Sequence, residues 1–346
     1  MRPGPLGPVI EGPVYALGFS WRKRAFVRGF TGRSDVRFVS DPRAVAPSAY
    51  LLLWGSAPVP PGTPSDARIV RVEDGFLRSV GLGADLTRPL SWVLDDRGIY
   101  YDASRPSALE VLLQQADFDA AERARAAALR ERIVREGLTK YNLAGARPWR
   151  RPADGRRVVL VPGQVETDAA IARGTGAVNT NLGLLQAVRA ARPGAWVVYK
   201  PHPDVVAGLR GAGAGEHQAP AHCDEIVREG SMHELLAQAD EVHVMSSLAG
   251  FEALLRGKAV TCWGLPFYAG WGLTEDREAI PRRSRRLALD ELVAGALLRY
   301  PVYRSRITGQ RCSAEQALDD LLQWRAHRPP GDRWWQRWLR PFIARP

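Results

Sequence analysis

Three short segments of the 346-residue chain place polar side chains directly after apolar runs, which is where α/β proteins carry their chemistry. The run ARIVRVEDG closes on Glu73, Asp74 and Gly75. A carboxylate at a strand end can serve as nucleophile, base or charge stabiliser at an electron-poor carbon. Successive strand residues point to opposite faces, so one of the two acids should face a ligand unless the chain turns at Gly75. The structural alternative is a turn or helix-capping aspartate followed by glycine. The run WVVYK is followed by KPHPD, in which Pro201 and Pro203 hold His202 outward beside Lys200. Lysine, histidine and a helix start together suit an anion, although a turn histidine bound to a backbone carbonyl fits the same residues. In MSSLAGFEALLRG, Ser246 and Ser247 stand between EVHVM and a helix that stops at Gly257. Hydroxyls and free amides at a helix start suit a phosphate, and either serine also suits plain capping. Glu234 lies three residues after Ser231, the spacing of a capping box, and a carboxylate there equally suits ribose hydroxyls.

The elements that must position these residues follow from the alternation of apolar runs. VYALGF from Val14, VRFV from Val36, YLLLWG from Tyr50 and ARIVRVEDG from Ala67 predict parallel strands of an α/β unit. Asp95, Asp96, Arg97 and Gly98, between SWVLDD and IYYD, predict a hairpin with glycine at positive φ. Residues 107 to 137 predict a long helix ended by glycine, and KYNLAGARPWRRPADGRR reads as a linker. A second alternation follows: RRVVLVP from Arg156, NLGLLQAVRAARPG from Asn181, WVVYK, MHELLAQA from Met232, EVHVM, LAGFEALLRG and AVTCWG from Ala259. This order predicts a doubly wound sheet. Two Rossmann-like halves joined by a linker predict an α/β, GT-B-like architecture with its active site in the cleft between domains. The expected divisions are residues 1–145, 146–305 and a helical segment 306–346, helical from about Leu287 and ending in a Trp/Arg-rich tail.

With 45% hydrophobic residues the chain can bury two cores, and its apolar runs fall short of the roughly 20 residues that span a bilayer. The start, MRPGPLGPVIEGP, has no apolar leader, so a cytoplasmic location is expected. Three dispersed cysteines argue against a disulfide framework or a structural zinc site. His217, His222 and His233 lack metal-ligand spacing and no DxD pair stands in a loop, so a metal-independent site without cofactor is expected. A net charge of +11 implies an anionic partner: nucleic acid, phospholipid or acidic glycan. The cluster SWRKRAFVR suggests nucleic acid, but the remaining basic residues are dispersed and no nucleic-acid motif is present.

EDGFLRSVGLGADLTRPLSWVLDDRGIYYD from Glu73, VPGQVETDAAI from Val161, VVYKPHPDVVAGLR from Val197 and MSSLAGFEALLRGKAVTCWGLPFYAGWGL from Met245 closely resemble the KpsC-type β-Kdo transferases of capsule assembly. The likeness runs in order over nearly the whole chain. It implies retaining transfer of Kdo (3-deoxy-manno-octulosonic acid) from CMP-Kdo to a lipid-linked acceptor carrying Kdo on a phosphatidylglycerol-type lipid. It also implies work at the cytoplasmic face of the inner membrane, alongside other capsule-assembly proteins and without nucleic acid. Members of that family typically carry two such modules in tandem, and this chain has length for one. A wider resemblance to bacterial CMP-sialic acid sialyltransferases implies that residues 1–145 form the acceptor side and 146–305 bind the CMP-sugar. By that likeness Asp74 is the carboxylate at the reacting carbon, His202 with Ser246 and Ser247 receives the CMP phosphate, and Glu234 binds the ribose. Lys200 suits the CMP side, and Arg78 and Gln164 suit the sugar carboxylate or hydroxyls. Retention favours Asp74 as nucleophile, whereas the matching sialyltransferase position acts as a base. A non-catalytic capsule-assembly scaffold is the alternative. In the tail, Trp334, Trp335, Trp338 and Phe342 alternate with Arg333, Arg337, Arg340 and Arg345, a pattern for a membrane surface or for packing on the body.

Overall fold

The computed structural model describes residues 8, 10–80, 88–140, 142 and 148–327; the Trp/Arg-rich tail lies outside them. The first part of the chain forms β1 (Val14–Leu17), α1 (Trp21–Thr31), β2 (Arg37–Val39), β3 (Tyr50–Trp54), β4 (Arg68–Asp74), β5 (Ser91–Asp95), α2 (Ala108–Gln115) and α3 (Ala120–Arg135). There follow β6 (Val158–Pro162), α4 (Ala169–Gly174), α5 (Asn181–Ala191), β7 (Trp196–Lys200), α6 (Pro203–Val206), β8 (Glu225–Ile226), α7 (Met232–Gln238), β9 (Glu241–Val244), α8 (Leu248–Leu255), β10 (Ala259–Cys262) and β11 (Glu275–Asp276). The last elements are α9 (Leu289–Val293), β12 (Pro301–Arg304), β13 (Arg311–Cys312) and α10 (Ala314–Ala326).

Two compact units result. The first comprises the chain through Arg78, Pro89–Leu129 and Asp290–Trp324; the second is built chiefly from Arg130–Leu289. The chain therefore crosses between units several times, and the single linker and the boundaries expected at 145 and 305 are corrected accordingly. The reason is long-range pairing: β12 is not part of a helical end segment but lies antiparallel on β5, with Val302 opposite Trp92.

In the first unit the strand order is β13-β12-β5-β4-β3-β1-β2. β2, β1, β3 and β4 are parallel, as the apolar runs predict. Both faces of these strands are buried: Val14, Ala16, Leu52, Val70 and Val72 pack with Val27 and Phe30 of α1, while Tyr15, Leu51 and Leu53 pack with Val45 and Ala49. From β1 the chain moves outward to β2 and then returns past β1 to β3, so the strand order reverses between β1 and β3. Crevices at such reversals, at the carboxyl ends of the strands, are where open α/β sheets bind ligands.

Two local expectations change. Residues 97 to 102 form turns and no strand, so SWVLDD and IYYD make no hairpin. Asp95 is instead fully buried, accepting from the amides of Arg97 (2.9 Å), Gly98 (2.8 Å) and Ala108 (2.9 Å) and from the Tyr300 hydroxyl (2.8 Å). Gly98 is needed for close approach, since a Cβ there would stand 2.8 Å from the Pro106 carbonyl oxygen. The long helix is two: Ala116 is extended after α2, and Asp119 restarts the chain by accepting from the Glu122 amide at 2.8 Å.

The second unit is a parallel sheet in the order β11-β10-β9-β6-β7-β8, the predicted doubly wound pattern. Its order reverses between β6 and β9, which aims the segments after Pro162 and Val244 at a common crevice. Among the described residues no helix is long and apolar enough to cross a membrane.

Candidate functional site

In the first unit, Asp74 ends β4 opposite Trp92 of β5. Its Oδ2 accepts from Nε of Arg78 at 2.6 Å; the arginine side chain is 7% exposed and the aspartate 20%. The amide of Asp74 donates to Oε1 of Glu73 at 2.9 Å. Glu73 has other neighbours: a Cβ on Gly55, whose φ is +57°, would stand 3.2 Å from its Oε2 and 2.7 Å from the Tyr101 hydroxyl. Burial, reinforced by the nearby Glu73, pushes Tyr101 up to about 12. The two acids thus have different immediate side-chain neighbours, Arg78 for Asp74 and Tyr101 for Glu73. Gly75 is not a positive-φ turn. Its amide bonds the Ser91 carbonyl at 2.9 Å, and an added Cβ would come within 2.8 Å of Cβ of Ser91. Glycine here lets β4 and β5 close up beside Asp74. Lys23, read in the sequence only as part of a basic cluster, reaches the same strand ends, where Glu73 and Asp74 act on its ammonium.

In the second unit the β6/β9 crevice is tied across by side chains. Gln164 donates through Nε2 to Oγ of Ser246 (3.1 Å) and accepts at Oε1 from the Ser246 amide (2.9 Å). The Ser246 hydroxyl donates to the Ala170 carbonyl at 3.0 Å, so its proton is committed within the protein. Asn181 clamps the backbone of Gln164 with two bonds of 2.9 Å. Gln164 and Ser246 therefore shape the crevice. Ser247 caps α8, accepting from the Ala249 amide at 3.2 Å, and keeps its hydroxyl proton to donate. The Tyr268 hydroxyl holds the Ser247 carbonyl, and Gly250 leaves room for that ring: a Cβ would stand 2.8 Å from Cζ of Tyr268. Neither Asn181 nor Tyr268 could be picked from the sequence, because each acts through contacts with distant loops.

His202 occupies the N-cap of α6, and its Nδ1 accepts from the Asp204 amide at 3.1 Å. That bond places the proton of the neutral ring on Nε2. Burial, with Lys140 and Arg210 adding positive charge, depresses the imidazole to about 4, so the ring is uncharged at neutral pH. A depressed histidine contributes stability above its unfolded value near 6.5 that is lost as pH falls towards 4, because the unfolded chain takes up the proton first. Thermal melts should accordingly fall more steeply between pH 6.5 and 4 in the wild type than in His202→Asn, by up to about 1.4 kcal/mol per pH unit. Parallel curves would show that the imidazole is not held neutral by the fold. Lys200 is buried, donates through Nζ to the Arg228 carbonyl at 2.8 Å, and is lowered by burial to about 8. Its ammonium is directed at that carbonyl.

Glu234 lies in the first turn of α7 after Ser231, but the Ser231 side chain makes no capping bond, so the capping box suggested by the spacing is not formed. Its Oε2 is buried and has no hydrogen-bond partner among the described residues. An acceptor held out of water and left unpaired is costly unless a ligand satisfies it.

Asp74, Glu73 and Arg78 thus cluster in the first unit; Gln164, Ser246 and Ser247 line one crevice of the second, where His202 and Glu234 each start a helix. The capsule polysaccharide biosynthesis protein family matches residues 62–140 and 144–312. The chain is 43% identical over 324 residues to the capsule polysaccharide modification protein LipA of Neisseria meningitidis serogroup B, covering 91% of this chain and 46% of LipA. It is 40% identical over 315 residues to the lipopolysaccharide-processing protein LpsZ of Rhizobium meliloti, covering 89% and 71% respectively. It thus spans about half the length of the LipA proteins it matches. Among solved structures it is similar to the β-Kdo 2,7 transferase of Thermosulfurimonas dismutans KpsC, with TM-score 0.76, 39% identity, and coverage of 90% of this chain and 99% of that one. The β-Kdo 2,4 transferase of the same KpsC gives TM-score 0.77 at 31% identity, with the same coverages.

Proposed function

Because the chain belongs to the capsule polysaccharide biosynthesis family, we propose that it is a retaining glycosyltransferase that moves Kdo from CMP-Kdo to a lipid-linked acceptor. The observation that carries this reading is the likeness, over 90% of the chain, to a β-Kdo transferase at 39% identity. The arrangement of polar groups agrees with it. The transition state of such a transfer is cationic at the anomeric carbon and negative on the departing CMP. Asp74, steadied by Arg78, supplies a carboxylate for the first, and Nε2–H of His202 and the Ser247 hydroxyl supply donors for the second. Glu234 offers its unpaired oxygen to the ribose hydroxyls. In this reading the first unit carries the reacting carboxylate and the second the groups that bind the nucleotide.

Asp74 attacks the anomeric carbon, the bond to the CMP oxygen breaks, and CMP leaves with that electron pair. The acceptor hydroxyl then displaces the aspartate, loses its proton to a base, and restores the original configuration. No metal is invoked, since neutral donors and helix-start amides meet the phosphate. Incubation of the purified protein with CMP-Kdo and a synthetic Kdo-terminated lipid should give a β-linked product by NMR. Absence of both transfer and CMP release would remove the proposal.

The acceptor being a lipid, we place the protein on the cytoplasmic face of the inner membrane, held by its Trp/Arg-rich tail and open to other capsule-assembly proteins. Arginines near an anionic surface contribute about 1 kcal/mol each. Ending the chain after Arg328 should lower co-sedimentation with anionic liposomes, and wild-type binding should weaken in high salt, while transfer to a short soluble acceptor persists. Undiminished sedimentation of the shortened protein would move the membrane contact elsewhere.

A further inference from the structure

We propose that Lys23 receives the carboxylate of a sugar acid bound at the carboxyl ends of β1 and β3. The choice of a sugar acid as ligand rests on the transferase reading; the placement of the cation does not. Strand order in the first unit reverses between β1 and β3, and α1 begins just beyond the end of β1. The site is therefore where an open α/β sheet presents a ligand crevice. Within it, Nζ of Lys23 lies 3.1 Å from the ring centroid of Trp54, the last residue of β3. That ring is fixed by edge contacts with Phe19 at 6.1 Å and with Trp92 at 5.4 Å between centroids. The ammonium is thus held over a rigid aromatic face and does not sweep through solvent.

Three observations direct it to a ligand anion. Among the described residues, Nζ forms no hydrogen bond or ion pair and its nearby partner is the Trp54 ring, although burial works against its charge. Two further cations near these strand ends have partners: Arg78 is engaged with Asp74 at 2.6 Å, and Arg71 donates to the carbonyls of Gly55 and Ala57. The side chain of Ser20 makes no capping bond at the start of α1, so the first-turn amides beside Lys23 lack a side-chain acceptor there. A sugar acid brought close to Asp74 and Glu73 would suffer like-charge repulsion unless a cation met its carboxylate. The ammonium of Lys23, with the positive end of α1, supplies that charge. If Lys23 instead only offsets Glu73 and Asp74, its removal would harm charged and uncharged sugars equally, which a comparison of ligands can detect.

The test titrates the wild type, Lys23→Met and Lys23→Gln with the methyl glycoside of Kdo and with its methyl ester, which differ only in the carboxylate charge. The wild type should bind the acid about tenfold or more tighter than the ester, and both variants should lose that preference while binding the ester as the wild type does. Lys23→Gln retains the length and polarity of the side chain and guards against loss of fold. An acid preference that survives in the variants, or a wild type without one, overturns the proposal, as does an equal loss of acid and ester. Transfer from CMP-Kdo by the wild type is measured in parallel. Acid preference without transfer would discard the transferase reading and leave the carboxylate site standing; transfer without acid preference would do the reverse.

Discussion

Asp74→Ala should lower Kdo transfer at least about a thousandfold while leaving CMP affinity within about twofold of the wild type. The separation follows from where the groups sit. Asp74 belongs to the first unit, on β4, whereas His202, Ser247 and Glu234 all belong to the second. In the proposed mechanism the carboxylate acts on the reacting carbon and the nucleotide is held by other groups, so the loss should fall on turnover. Asp74→Asn sharpens the test, because its side-chain oxygen can still accept from Nε of Arg78 and the local fold should survive. If Asp74 is the nucleophile, mass spectrometry of the wild type with donor alone should find a Kdo adduct on the peptide carrying it, absent from both variants. Full activity in Asp74→Asn would end the assignment, and an adduct on a different residue would move it.

Much of the frame is legible in the sequence because parallel strands buried on both faces announce themselves as unbroken apolar runs, and because the residues that follow such runs sit at strand ends. Asp74, His202 and Ser247 are picked out as candidates that way, and the structure sets each at or just beyond the end of such a strand. Contacts between segments far apart in the chain are not found so. Asp95 reads as a turn residue because its neighbours are Asp96 and Gly98, yet it is a buried acceptor bound to Tyr300, 205 residues away. β12 follows a helical pattern and so reads as part of it, while its place is decided by β5. Ser246 and Ser247 look equivalent as a pair. Only the positions of Ala170 and Gln164 show that one hydroxyl is committed inside the protein while the other, though it caps α8, has a proton to offer. Lys23 misleads in the opposite sense: its basic neighbours suggest a surface patch, and only the fold carries it to Trp54 and the acidic pair.

Glu234 gives the other large effect, and its two consequences have opposite signs. Spacing alone makes it one half of a capping box, but Ser231 makes no side-chain capping bond, and Oε2 is buried without a partner. A buried acceptor left unpaired costs about 1–3 kcal/mol, so the protein without ligand carries a local destabilisation that a hydroxyl pair would relieve. Glu234→Met, similar in size and free of that oxygen, should therefore melt a few degrees higher than the wild type in the absence of nucleotide, since about 1 kcal/mol shifts a unit of this size by roughly 2–4 °C. If Glu234 is the ribose acceptor proposed above, the same variant should bind CMP about tenfold or more weakly. The ligand can be edited in the same way as the protein. 2′-DeoxyCMP should bind the wild type less tightly than CMP does, and Glu234→Met should discriminate little between the two, since the carboxylate and the hydroxyl act as one pair. A variant that is stabilised yet keeps full CMP affinity would show that the unpaired oxygen serves something other than ribose, and the nucleotide would then have to be sought away from α7.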